Sequence, residues 1–319
     1  YHRLPHSLLQ LGALLEGRAT GRLEGNIELH GPSSAVRVTS DVTLSDASWL
    51  IPGQRILFAG WSGRVRLADQ ALSVTKLGGT VKGGTIPIDG QLPIEAGAAG
   101  GGLTIVASDI LIDVPRGLHS QLGADLVWQR AETTARLQGT VEITSNRYTE
   151  PVNRILQLVN SMSSATRSSG ESTQPSWLTR TALDIRLAIT DPILIDNSVG
   201  TVELMPDLRL GGTIDSPALS GRVDVADDGR ITIGGRTYRL RDSQVRFAPA
   251  DGLVPTLDAV GDTRIGDYQV TIRINGTPDR IETTYSSVPP LGERELQSLI
   301  VTGQAGEQTT QSRQSNDNF

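Results

Sequence analysis

The stretch Tyr268-Gln-Val-Thr-Ile-Arg-Ile-Asn-Gly-Thr-Pro278 decides how the rest of the chain reads. Tyr268, Val270, Ile272 and Ile274 alternate with Gln269, Thr271 and Arg273, and a period of two puts the first set on one face of a strand and the second on the other. Working outward, Val223 and Val225 alternate with Arg222 and Asp224, and Ile231 and Ile233 with Arg230 and Thr232. Leu183, Ile185, Leu187 and Ile189, opposed by Asp184, Arg186, Ala188 and Thr190, give the cleanest instance, and Val202, Leu204, Leu208 and Leu210 repeat it. Asp227-Asp228-Gly229 and Gly234-Gly235 lie between such runs and tolerate positive φ, so both predict hairpin turns. After Ser286 and Ser287, Pro289 and Pro290 remove donors that another ladder needs. A short helix over 293–302 is expected next. Glu293 and Glu295 suit its first turn, Leu296, Leu299 and Ile300 form one apolar stripe, and Gly303 closes it.

Upstream, Leu4, Leu8, Leu11 and Leu15 follow helical spacing behind a Ser7 cap and predict a short amphipathic helix packed on a sheet edge. From Arg18 the pattern turns to strands carrying Leu23, Ile27, Leu29, Val36, Val38, Val42, Leu44, Val65 and Leu67. Leu103 to Val114 reads as a strand pair, followed by strands at Leu126 to Trp128 and Ala135 to Ile143. Gly97 to Gly102 lacks the Gly-Lys-Ser/Thr ending of a phosphate loop and reads as a flexible turn. Gly-Thr before an alternating run recurs at Gly79, Gly139, Gly200, Gly212 and Gly276, a degenerate strand module. Thr149 to Met162 predicts a helix with Pro151 in its first turn, and the Ser/Thr-rich Ser161 to Ser176 predicts a linker or mobile loop. The expected organisation is upstream β modules with short helices over 1–160, a linker over 161–176, a β domain ending in a helix over 177–303, and a polar disordered tail over 304–319.

Composition narrows the function. The 319 residues carry a net charge of -6, with Arg and acidic residues interspersed along strands, so there is no basic stripe for nucleic acid. No Cys is present, which excludes disulfides and thiolate metal sites and fits any compartment, an oxidising one included. Four histidines form no HExxH-type arrangement, and the acidic turn at Asp227 lacks the alternating ligands of a calcium loop. No metal, cofactor or catalytic residue is predicted. A carbohydrate-active enzyme is a distant reading, resting only on the presence of 35 acidic residues. No run reaches membrane-spanning helical length, and the start at Tyr1 suggests a piece of a longer gene product.

Aromatic residues make up only 4% of the chain, so its apolar side rests on Leu, Ile and Val. A sheet with one apolar face must cover it. It can close as a sandwich or curl into a trough with an apolar lining. A trough has a use: at about 0.8 kcal/mol per methylene, an acyl chain of about sixteen carbons costs on the order of 12 kcal/mol to leave in water. The candidate lining is Leu183, Ile185, Leu187, Ile189, Val202, Leu204, Leu208, Leu210, Val223, Val225, Ile231, Ile233, Val270, Ile272 and Ile274. A slip of one residue would move this set to the other face.

From Gly221 onward the chain resembles the C-terminal domain of the TamB family, the translocation and assembly module proteins of the AsmA-like group. The resemblance is carried by Gly221-Arg-Val-Asp-Val, Gly229-Arg-Ile-Thr-Ile-Gly-Gly-Arg-Thr-Tyr-Arg-Leu, Val245-Arg-Phe, Pro255-Thr-Leu-Asp, the run from Tyr268 to Pro278, and Ser286-Ser-Val-Pro289-Pro290-Leu291 running into Glu295-Leu296-Gln-Ser-Leu299-Ile300-Val-Thr-Gly303. It implies a mainly β fold, an elongated curled antiparallel sheet (a β-taco) with two or three short helices. It also implies a periplasmic protein of a diderm bacterium, anchored to the inner membrane, whose groove conducts phospholipid toward the outer membrane. The implied partners are an outer-membrane barrel of the Omp85 class (TamA-like) and outer-membrane protein clients, with a contribution to autotransporter assembly. The chain departs from the family pattern in lacking the N-terminal anchor and in ending at Phe319. A non-enzymatic chaperone that pairs its edge strand with a client strand, and a passive adhesin-like sandwich, stand as alternatives.

Overall fold

The computed structural model describes residues 2–3, 9–10, 19–31, 37–51, 56–93, 100–113, 118–130, 134–148 and 180–304. Strand accounts for 78% of them, in one large curled sheet. The strands are β1 (His2–Arg3), β2 (Leu9–Gln10), β3 (Ala19–His30), β4 (Arg37–Ile51), β5 (Ile56–Ala68), β6 (Ala71–Val81), β7 (Gly84–Pro93), β8 (Gly102–Asp113), β9 (Leu118–Arg130) and β10 (Ala135–Tyr148). They continue as β11 (Ala182–Ile189), β12 (Ile193–Asn197), β13 (Gly200–Gly212), β14 (Pro217–Val225), β15 (Arg230–Ile233), β16 (Arg236–Phe247), β17 (Pro255–Ile265), β18 (Tyr268–Thr277) and β19 (Arg280–Val288). One α-helix is described, α1 (Glu293–Thr302), with the bounds its caps predict.

From β3 to β10 each strand pairs antiparallel with the next. β10 then meets β11 and β12 in parallel, and from β13 to β19 the ladder is antiparallel again. A parallel step needs a connection of a dozen residues or more, and 149–181 supplies it. The strands on either side of 161–176 thus belong to one sheet. Three positions are shared: β1 and β2 both pair with β3, β11 and β12 both lie between β10 and β13, and β14 and β15 both lie between β13 and β16. Nineteen strands less three make sixteen positions, roughly 70 Å along the curve at about 4.8 Å each.

Several expectations change. Leu9–Gln10 pairs with Leu23 and Arg22, so no helix runs unbroken from Leu4 to Leu15; the edge of β3 offers backbone partners that outweigh a weak helical spacing. The rest of that segment, the helix expected over Thr149 to Met162, the linker at 161–176, Gly97 to Ala99 and the tail beyond Gln304 lie outside the described residues. Leu103 to Val114 is not a strand pair: 102–113 is the single strand β8, shifted in register between Ala107 and Ile110. Gly234 and Gly235, at φ 59° and 77°, do turn the hairpin between β15 and β16. Asp227 to Gly229 does not make a hairpin. β14 and β15 never pair with each other, so this turn only interrupts one strand position, with Asp228 at φ 75°.

The core lies on one face of the sheet, in clusters around Trp61, Trp128, Ile110 and Val270. The opposite face is polar and carries ion pairs between neighbouring strands and, on β14, within one strand. Asp184 is bridged by Arg136 and Arg209, Arg222 meets Asp224 at 3.0 Å, and Asp258 lies 3.9 Å from both Arg246 and Arg273. Such exposed pairs contribute little individually. They keep this face wet and so fix which face turns inward.

Candidate apolar ligand-binding face

Residues directly opposite in a ladder project from the same face, so register alone traces the apolar surface. One row runs Val65, Val74, Gly90, Leu103, Trp128, Leu137 and Leu183, from β5 to β11. Another runs Leu77, Ile88, Ile105, Leu126, Gly139, Ile185, Leu210 and Leu219, from β6 to β14. Neither row contains a polar side chain. The parallel step between β10 and β11 leaves both unbroken, because its register keeps Leu137 with Leu183 and Gly139 with Ile185.

All fifteen residues of the expected lining project from this one face. Leu187 stands opposite Leu208, Leu204 opposite Val225, Val202 opposite Ile195, and Ile189 opposite Ile143. Val223 pairs with Val245, Ile231 with Tyr238, Ile274 with Ala259, and Ile272 with Gly261. Ile185, Val202, Val223, Val270 and Ile272 are buried and the other ten half-buried. Two of the set sit at a boundary. Ile233 faces Arg236 at the rim, and Val270 lies in a cluster with Ile265, Leu296 and Leu299, beneath α1.

The double-proline motif places that helix. The Ser287 hydroxyl donates to the Pro289 carbonyl at 2.9 Å and accepts from the Leu291 N–H at 3.1 Å, folding the chain back after β19. Gly292 N–H donates to Glu295 Oε2 at 3.1 Å at the helix start, and Gly303 ends the helix in the left-handed region. Arg236 Nε donates to the Ile300 carbonyl at 2.9 Å, so β16 holds the helix end against the apolar face.

Sequence reasoning missed the aromatic part of the face. Trp49 stacks on Phe58 with centroids 4.8 Å apart, and Trp61 tilts against both at 5.3 and 6.0 Å. Trp61 lies over Gly79, where a Cβ would come within 2.3 Å of its ring. Low aromatic content suggested aliphatic walls with few aromatic plugs; three of the rings nevertheless meet in one cluster on β4 and β5. Their signal was hidden by bulges, since Phe58 and Trp61 share a face only because Gly60, at φ 64°, adds a residue between them. Tyr238, fully buried on the same face, was also missed, although it lies in the alternating run Tyr238, Leu240.

Among the described residues no group of His, Asp or Glu could hold a metal ion, and no helix is long and apolar enough to cross a membrane. On the polar face, burial alone would raise the Asp262 carboxyl, but hydrogen bonds from Arg241 and Thr271 and the Arg241 charge outweigh it and hold its pKa below the usual range.

Neither the curated proteins nor the solved structures contain a match to the chain. The family model of the TamB C-terminal domain matches residues 75–319, from the middle of β6 onward and far beyond the last third in which the motifs are plainest. With well over half of its 319 residues matched to that domain, the chain belongs to the TamB family.

Proposed function

We propose that this protein is a non-enzymatic, periplasmic bridge that conducts phospholipid along its apolar face from the inner toward the outer membrane, with a linked role in outer-membrane protein assembly beside a TamA-like barrel of the Omp85 class. One observation carries the reading: two apolar rows run from strand to strand, one from β5 to β11 and one from β6 to β14, without a polar side chain. A chemically uniform track lets a tail move without any step at which its methylenes meet water. The polar face with its ion pairs matches a surface turned to the aqueous compartment.

Photo-crosslinking in cells with a probe at Ile185, and at Arg186 as control, tests it. Phospholipid adducts at Ile185 with few at Arg186 are expected. Equal or absent lipid adducts would overturn it.

A second reading has its own observation. Among the described residues β19 pairs only with β18, and its residues are exposed apart from half-buried Ser287. An unpaired edge of nine residues offers backbone donors and acceptors to a client strand. It predicts protein adducts along β19 and strong sensitivity to proline there, with little effect of charges placed on the apolar face.

A further inference from the structure

Where α1 turns back beside β19 it leaves a cleft of about 790 Å³. On one side the cleft touches every residue from Thr283 to Ser287. Successive strand residues point to opposite faces, so a cleft that meets five in a row follows the free edge of β19 and not either face. Glu293, Leu296, Ile300 and Val301 line the other side, at the spacing of one helix face. This wall is fixed in place: Leu296 and Leu299 are buried against Ile265 and Val270, and Arg236 holds the helix end through the Ile300 carbonyl.

The edge itself is unguarded. A bulge, a proline, a lysine or an inward charge commonly keeps an edge strand from pairing. β19 has none of them: its nine residues pair with β18 in unbroken register, and its two charges, Arg280 and Glu282, lie on the outward face opposite Thr277 and Asn275. At the other end of the sheet, β1 and β2 already sit on the edge of β3.

The chemistry of the two walls selects the occupant. Thr, Tyr and Ser hydroxyls on the strand side serve peptide groups and cross-strand neighbours, and offer a hydrocarbon nothing. The helix side presents Leu296, Ile300 and the 80% exposed Val301, and among the described residues Glu293 is the one charged side chain in the lining. A strand laid on β19 puts alternate side chains on the inner face, beside Tyr285 and under α1, and the rest on the outward face, beside Thr284 and Ser286. The first set must be apolar and the second polar. Nine residues of that alternation is about the length and pattern of a strand that crosses a membrane in a β-barrel. Ala305 to Phe319 lack the alternation.

We propose that the cleft between β19 and α1 takes an amphipathic polypeptide strand of another protein by adding it to the edge of β19, and that α1 decides which face of that strand turns inward. This deepens the strand-pairing reading and rests on it. Pairing supplies affinity for any extended backbone, and the apolar helix wall supplies the discrimination.

The test uses the full chain and labelled peptides of nine residues, the length of β19, read by fluorescence anisotropy and hydrogen exchange. One peptide alternates Val and Thr, one holds the same residues in two blocks, and one is the alternating peptide N-methylated along its backbone. The alternating peptide should bind and slow exchange in β19 but not in β3. The blocked peptide should bind more weakly and the N-methylated one not at all. Val301→Glu should leave Tm unchanged, because the side chain is exposed, and weaken the alternating peptide about tenfold, because the carboxylate loses water against inward Val residues. Equal binding of the alternating and blocked peptides with β19 protected, or no effect of Val301→Glu, would overturn the selection by α1 and leave edge pairing standing. No protection of β19 by any peptide would overturn the strand-pairing reading itself. Protection of β19 by self-association of the chain alone would give the edge to a second copy and overturn the proposal.

Discussion

Strands β3 to β10 and strands β11 to β19 present the same apolar face, but the first group reaches it through bulges and the second through nearly unbroken alternation. Register shifts fall near Gly21, Asp46, Gly60, Lys76 and Asp109 and between Ser145 and Tyr148 in the first group; between the strands of the second the one described shift lies between Arg241 and Gln244. Asp46, Lys76, Asp109 and Asp242 all sit at positive φ, between 46° and 61°. Each bulge inserts a residue, bends its strand and flips the parity of the positions after it. The bulges are held by side chains. Lys76 N–H donates to Asp89 at 2.6 Å and Asp46 N–H to Ser62 at 3.0 Å. The bulged half fills its bend with Trp49, Phe58 and Trp61, whereas the regular half has a helix laid on its far end. Curvature and cover are thus separate devices, and each leaves a different trace in the sequence.

The strongest test of this contrast is Trp61→Ala, which removes the ring at the centre of the bulged half. The expected cost is about 4 kcal/mol, measured by urea unfolding. A cost below about 1 kcal/mol would mean that the bulged half has no packed core of its own. Leu299→Ala comes next. Leu299 is 1% exposed against Ile265 and Val270, and the expected loss of about 3 kcal/mol should be local. Hydrogen exchange should quicken in α1 while β6 to β9 stay protected; loss of protection in both would merge the two ends into one unit.

Smaller effects probe the bulges. Asp109→Val should cost about 1–2 kcal/mol, because a β-branched residue resists positive φ, whereas Asp109→Gly should stay within about 0.5 kcal/mol. Equal stabilities for the two variants would show that the left-handed bulge is not required. The smallest effect belongs to Asp262. Its folded pKa is depressed, so its contribution is present above the unfolded value near 3.9 and is lost as pH falls through the folded one. Between about pH 5 and about pH 2, Tm should therefore fall slightly more in the parent than in Asp262→Asn. Parallel pH profiles would contradict the pairing with Arg241.

How much could be read from residues alone depends on the same contrast. Wherever a strand runs unbroken, as in β11, β13 and β18, alternation names the face, and all fifteen expected lining residues share it. The helix was equally legible, since its prolines, acidic first turn, apolar stripe and closing glycine are all local. Parity was not legible across bulges. Val74 and Leu77, or Ala107 and Ile110, share a face at an odd separation, which imitates helical spacing. Asp227 to Gly229 could not be told from a hairpin turn, because only pairing partners distinguish a reversal from an interruption. The parallel step at β10 and β11 has no local signal at all. The aromatic cluster was hidden for a compositional reason: a low aromatic content says how few the rings are and not where they gather, and three meet in one cluster.

The most direct measurement is a ladder of photo-crosslinking probes across both halves, at Trp61 and Leu126 in the bulged half and at Ile185, Val223 and Ile272 in the regular half, each with an outward-facing control on the same strand. The account predicts phospholipid adducts at every inward position and few at any control, one track running through both kinds of strand. Labelling that stops between Leu126 and Ile185, or that is equal on the two faces, would contradict it.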